Sequence, residues 1–299
     1  MTKEKTASTT GPNILGISAG NHDAAAALLV GGNIAAAVEE EKLARVRRAR
    51  GLPVRAIRYC LEAARLRPAQ IDYIALARPL RGEPGGAQRG ESWIPRRLKE
   101  EFPAAKVVVL DHHLCHAAAA YYPSPFDEAA VLTLDETGDL KTASLSVARG
   151  IELTPVEDSY FPDSVGGLYS RVTALAGFTP GGDEHKLQWL SAWGQPVYVE
   201  VFQRILAPDA EGLFAVDQTW FRAGRDEHGG FSEKFYREAG LDPSGPLAED
   251  CRANLAASIQ QAVEDVVLEA AQSFVAHHKV RNLCLAGGVA LNAVLVERL

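Results

Sequence analysis

No stretch of this chain approaches the roughly 20 consecutive apolar residues that a membrane-crossing helix requires, so no membrane role is expected. The opening segment Met1–Gly11 is polar and lacks the apolar core of a signal peptide, and residues 1–12 read as a disordered tail. Cysteine is scarce. Cys60, Cys115, Cys251 and Cys284 are the four present, and none forms a CxxC pair. That excludes a disulfide-stapled miniprotein and describes reduced thiols in a cytoplasmic protein. A basic excess is also missing: 31 Lys+Arg against 38 Asp+Glu leaves −7, which argues against nucleic acid as a bulk partner. The one basic stretch, Lys42–Arg50, reads as a solvated loop ahead of an anion site. What remains is ordinary globular composition, 47% apolar and 23% charged over 299 residues, enough for about two domains.

The pattern along the chain is an α/β one. Short β-type runs at Asn13–Ile17, Ala24–Val30 and Ile34–Val38, separated by turns at Asn21-His22-Asp23 and Gly31-Gly32-Asn33, predict a tight antiparallel meander. Pro53 suits the first turn of a helix whose apolar stripe is Val54, Ile57, Cys60, Leu61 and Ala64. Strands follow at Ile71–Ala77 and Val107–Leu110, with a Gly/Pro/Arg-rich loop at Arg81–Gly90 between them. A helix to Tyr122 is next, then a hairpin of Ala129–Leu134 with Thr142–Val147 around Gly138. Helices are expected near Val165–Ala176, Glu184–Trp193 and Glu249–His278, then a strand at Asn282–Leu285 and a helix from about Val289. A less regular insert spans about 196–246. This order predicts mixed sheets with helices on their faces, in domains of 13–160 and 161–299. Leu299 falls inside a predicted helix with no capping residue, which reads as a fragment of a longer enzyme or a split subunit, its second domain incomplete.

Three of the eight histidines lie within Asp111-His112-His113-Leu114-Cys115-His116. On a helix His112 and His116 share one face, while Cys115 points elsewhere. Asp135, at the end of the next apolar run, is a natural third ligand. Two imidazoles and a carboxylate leave coordination positions open, an arrangement suited to catalysis. Any one of these histidines alone would read as a satisfied residue at a strand-to-helix junction. Gly287-Gly288 between a strand and a helix lets backbone approach a ligand closely, although tight packing would equally require it. Thr133–Asp139, with Gly138, is a second phosphate-facing candidate, its carboxylates acting through a metal, or else an ordinary hairpin turn.

Taken together these segments resemble the O-carbamoyltransferases of antibiotic and nodulation-factor biosynthesis. The matching pieces are Ile14–Ile17 with His22-Asp23, Asp111–His113 with His116-Ala117, Thr133–Asp135 with Gly138-Asp139, Gly167–Ser170 with Val172-Thr173, and Ala286–Val289 with Asn292. That family's amino-terminal half is similar to the tRNA threonylcarbamoyl transferase, within the actin–hexokinase-like superfamily of two ribonuclease-H-like domains. The resemblance implies a carboxy-terminal domain or subunit, outside this chain, that makes carbamoyl-adenylate from carbamoyl phosphate and ATP. The present part would pass the carbamoyl group to a hydroxyl of a small-molecule acceptor, a secondary metabolite. By position, His112, His116 and Asp135 would hold a divalent metal, iron or zinc, with a fourth ligand, an Asp, beyond residue 299. His22 would be the base for the acceptor hydroxyl, and Gly287, Gly288 and Asn292 would line the adenosine. A second copy in a homodimer is a further partner compatible with this reading.

The chain departs from the family at two places. Glu136 replaces a common glycine, adding a carboxylate near the expected phosphate. His185-Lys186-Leu187-Gln188-Trp189-Leu190-Ser191 stands where many members read Gly-Lys-Leu-Met-Gly-Leu-Ala. Lys186 keeps a cation for phosphate or the carbamoyl oxygen, and Trp189 reshapes the acceptor side. Asp23, beside His22, points the other way in an extended segment and is given a minor role at most. Alternative readings are a catalytically inactive scaffold subunit of the same fold, a tRNA-modifying relative, and a sugar or acetate kinase of the superfamily.

Overall fold

The computed structural model describes residues 11–19, 22–77, 93–209, 213–222 and 227–299. The expected loop at Arg81–Gly90 and most of the expected tail lie outside the described residues. The chain divides into two compact units, Met1–Cys115 and His116–Leu299.

In the first unit, β1 (Asn13–Ser18), β2 (Ala25–Val30) and β3 (Asn33–Glu39) form the expected meander. Gly31 and Gly32, at φ 56° and 83°, turn β2 into β3 by the two-residue geometry that matches strand twist. After α1 (Glu40–Ala44) and α2 (Val54–Ala64), β4 (Tyr73–Ala77) adds parallel to β1. Then come α3 (Trp93–Glu101) and β5 (Lys106–Leu110), parallel to β4. The sheet order is β3-β2-β1-β4-β5. Its alternating Leu15, Ile17, Ala26, Leu28, Ile74 and Leu76 pack against Ala56, Ile57, Cys60 and Leu61 of α2. Val54, expected on that stripe, is exposed, and Ala56 takes the inward place.

Pro53 is the residue before α2 rather than its first helical one, and it offers no side-chain cap. Glu40 supplies one from α1. Its carboxylate accepts from the Arg55 N–H at 3.2 Å and the Ala56 N–H at 2.8 Å. Glu40→Ala should therefore cost about 1–2 kcal/mol by leaving two amides of the first turn without that partner, Ala56 fully buried. Urea unfolding followed on the first unit would measure it.

In the second unit, α4 (His112–Tyr121) leads into it, and β6 (Glu128–Gly138), β7 (Lys141–Arg149) and β8 (Glu152–Tyr160) form an antiparallel meander. Next are α5 (Val165–Leu175), α6 (Glu184–Ser191), α7 (Val199–Ile205), the short β9 (Leu206–Ala207) and β10 (Ala215–Val216), and α8 (Glu233–Ala239). The helix α9 (Glu249–His278) has the bounds expected of it, and β11 (Leu283–Ala286) pairs parallel with β6. A short 3₁₀ turn, Gly288–Leu291, precedes α10 (Ala293–Arg298), so the last helix begins four residues later than expected. The sheet order is β11-β6-β7-β8; read from its other end, β8-β7-β6-β11 repeats β3-β2-β1-β4 of the first sheet, antiparallel twice and then parallel.

One expectation is corrected. The boundary at 160 would sever β6 from β11; the units meet at Cys115/His116 because the meander of residues 128–160 belongs to the second sheet. The less regular region of about 196–246 packs into the second core, where Phe202, Trp220, Phe231 and Phe235 are buried with Leu255, Ile259 and Val263 of α9. Among the described residues no helix is long and apolar enough to cross a membrane.

Candidate metal centre

Asp111 starts α4 by capping it: its Oδ1 accepts from the Leu114 N–H at 3.0 Å. The helix packs through Ala117 and Tyr121 onto Ala129 and Val131 of β6, Ala148 of β7 and Cys284 of β11. Alanines on that stripe allow close approach, and the neighbouring stripe carries His112 and His116. His116 Nε2 lies 3.2 Å from Asp135 Oδ2. His112, His116 and Asp135 each offer one ligand atom, all within 4.8 Å of one another, and all three are half-buried. Cys115 is outside that group. His113, nearly fully buried, sits edge-on to the His112 ring.

A bulge delivers Asp135. Register runs through Leu134↔Ala143 and resumes at Gly138↔Lys141, so β6 spends three residues, 135–137, where β7 has only Thr142. Asp135 Oδ1 accepts from the Glu136 N–H at 2.8 Å. Ser164 donates to the Glu136 carbonyl at 2.7 Å while accepting from the Gly167 N–H at 2.9 Å, capping α5 and tying it to the bulge. A Cβ on Gly166 would stand 2.8 Å from the Glu136 nitrogen, so only glycine lets α5 come this near. Ser164 and Gly166 were not singled out from the sequence; the Ser-x-Gly-Gly string is a capping signal that could have found them. The hairpin itself turns at Asp139-Leu140, with Asp139 at φ 67°, not around Gly138, which is buried at the end of β6.

The glycine pair closes on the same strand end. A Cβ on Gly287 would meet the Leu134 carbonyl oxygen at 2.1 Å, and one on Gly288 would be 3.1 Å from Asp135 Oδ1. Close packing is thus required of Gly287 by the fold, whereas Gly288 faces only the Asp135 carboxylate. Asn292 is fully engaged: Oδ1 caps α10 at the Leu295 N–H, and Nδ2 donates to Gln260 Oε1 at 2.8 Å. Gln260 also accepts from the Tyr169 hydroxyl at 2.9 Å and donates to Glu264 at 2.7 Å. Burial first, with Glu184 and Glu264 nearby, pushes the Tyr169 phenol up, so it stays a donor.

The two remaining candidates lie on separate elements. Lys186 forms an ion pair with Asp183 on its own helix turn at 2.8 Å, which holds the Asp183 carboxyl below its ordinary range. His22, in the first unit, is exposed, and its Nδ1 lies 2.8 Å from Asp23 Oδ2. Asp23 therefore does not point away: at φ 52° it is left-handed rather than extended, and its carboxylate turns back to His22.

The donor set tests well against a divalent ion. Nitrogen and oxygen donors suit iron and zinc, and the three atoms already converge without rearranging a strand or helix. The long His116–Asp135 hydrogen bond is one whose proton an ion would replace.

Mixed sheets flanked by helices place this chain in the actin–hexokinase-like fold class. Component A of the (R)-2-hydroxyglutaryl-CoA dehydratase of Acidaminococcus fermentans superposes with a TM-score of 0.50 at 16% identity, over 96% of this chain and 87% of that one. HypF of T. kodakarensis gives 0.51 at 13% identity, over 96% of this chain and 43% of that one. The chain belongs to the family described as carbamoyltransferase N-terminus, whose model matches residues 13–80 and 91–299. An uncharacterized protein of Synechocystis sp. is 35% identical over 96% of this chain and 52% of its own length. The nodulation protein NolNO of Sinorhizobium fredii is 30% identical over 93% of this chain and 42% of its own length. The chain thus spans about half the length of these relatives.

Proposed function

We propose that this chain is the carbamoyl-transferring part of an O-carbamoyltransferase, acting on carbamoyl-adenylate made elsewhere in a longer protein or by a partner subunit. The observation that carries the reading is the convergence of His112, His116 and Asp135 at a strand end crowded by Gly287 and Gly288. Family membership and the likeness to the nodulation protein NolNO support the class of reaction.

A divalent ion on those three residues would supply Lewis-acid neutralisation of the phosphate on the departing AMP. His22 would take the proton of the acceptor hydroxyl at a ring nitrogen, as the hydroxyl attacks the carbamoyl carbon and the bond to AMP breaks. Gly287 and Gly288 let the turn's backbone seat against the strand end that carries Asp135, beside which the nucleotide would lie. Asn292 contributes by fixing that turn to Gln260 rather than by touching adenosine. Lys186 is assigned to phosphate, which would require it to exchange Asp183 for the substrate.

The longer protein, supplied with ATP, carbamoyl phosphate and a hydroxyl acceptor, should release AMP, pyrophosphate and the orthophosphate of carbamoyl phosphate. Release of ADP would point to a kinase and overturn the proposal. His22→Ala should slow transfer by about 10²–10⁴-fold while carbamoyl-adenylate still forms.

A further inference from the structure

The adjacent pair His22-Asp23 has a geometry that ordinary extended backbone forbids, because successive side chains there point to opposite faces. Asp23 escapes this by its left-handed conformation, φ 52°, which aspartate tolerates better than most residues. The residue after it is pinned. Ala24 is fully buried, its N–H donates to the Ala49 carbonyl at 3.0 Å, and its own carbonyl accepts from the Glu40 N–H at 2.8 Å. With Ala24 fixed from both sides, Asp23 is held in the turn that carries its carboxylate to His22 Nδ1 at 2.8 Å. Both side chains are more than half exposed, 56% and 57%, so the contact adds little to stability. A contact that the neighbouring backbone holds in place, yet that adds little to stability, is one the molecule can use for function.

We infer that Asp23 is a positioning residue that fixes the tautomer of His22, an inference that rests on reading His22 as the base. An ionised carboxylate can only accept, so the hydrogen between them belongs to Nδ1. Nε2 then carries the lone pair and faces away from Asp23, available for a hydroxyl proton. Removal of that proton leaves an imidazolium whose Nδ1–H the carboxylate already holds, so no ring rotation is needed between turnovers.

The test is the ring ¹⁵N spectrum of the chain labelled at histidine, with His22 assigned by its disappearance in His22→Ala. In the neutral ring of the wild type the hydrogen should sit on Nδ1, with Nε2 bare. Asp23→Asn keeps a residue at ease in the left-handed turn, but its amide can donate to Nδ1 and should shift His22 toward the Nε2–H form, with unchanged thermal melting. In the longer protein the same substitution should lower kcat for transfer by about 10–100-fold, with acceptor KM little altered. A wild-type ring protonated on Nε2, or one indifferent to Asp23→Asn, overturns the inference. If the tautomer responds but His22→Ala leaves transfer unaffected, the positioning stands as geometry and the reading of His22 as base fails.

Discussion

The double variant His112→Ala, His116→Ala should bind no divalent metal under conditions where the wild-type chain takes up one equivalent. Each histidine supplies one of only three side chains in the group, and the remaining Asp135 offers a single carboxylate at a half-buried strand end. Loss of a group merely supporting a ligand weakens metal binding by about 10–100-fold, so loss of a ligand itself should exceed a hundredfold. Cobalt(II) is a convenient probe, since its visible absorption reports donor type, and elemental analysis gives the stoichiometry. Asp135→Asn should fall between wild type and the double variant, because the amide oxygen keeps the shape but not the charge. Uptake should weaken as pH falls, protons and metal competing for the same lone pairs. An unchanged cobalt spectrum in the double variant would remove the ion from this site and, with it, the main support for the proposed reaction.

The parts of this architecture that were legible in the sequence are those where local chemistry and tertiary packing agree. The glycines at 31 and 32 dictate a hairpin, and α9 repeats an apolar stripe long enough to leave no ambiguity about its bounds. His112 and His116 were readable because helical spacing alone makes them neighbours, and Asp135 because it closes an apolar run. The strand β8 escaped notice for a physical reason. It carries Pro155, Glu157 and Asp158, which interrupt the alternation expected of a strand, and an edge position tolerates them. The domain boundary was misplaced because parallel pairing of β11 with β6 joins residues about 150 positions apart, which no local pattern records. Asp23 shows the same limit at one residue: whether it turns toward His22 depends on a left-handed φ, held where its neighbour Ala24 donates to the Ala49 carbonyl and accepts from the Glu40 N–H.

Three glycine-to-alanine substitutions separate strain, packing and site geometry, and the largest loss of stability should come at Gly287. Its backbone lies at φ 91°, ψ 168°, a region open almost to glycine alone, and forcing alanine there costs about 1–3 kcal/mol. In addition, the new methyl would sit 2.1 Å from the Leu134 carbonyl oxygen. Neither side can retreat easily, because β11 is laddered to β6 up to Ala286↔Thr133, immediately before the turn. The combined effect should exceed about 3 kcal/mol in chemical denaturation of the second unit. Gly32→Ala supplies the control for strain alone: φ is 83° but nothing lies within 4 Å of the added carbon, and about 1 kcal/mol is expected. Gly288→Ala reverses the pattern. Its new methyl would meet the Asp135 carboxylate, Oδ1 at 3.1 Å and Cγ at 3.9 Å, side-chain atoms that can turn aside. Stability should therefore change by less than about 1 kcal/mol, while the displaced carboxylate weakens cobalt binding roughly tenfold. If Gly287→Ala proved no worse than Gly32→Ala, the close seating of the glycine turn on β6 would be wrong, and the placement of Gly288 beside Asp135 would fall with it.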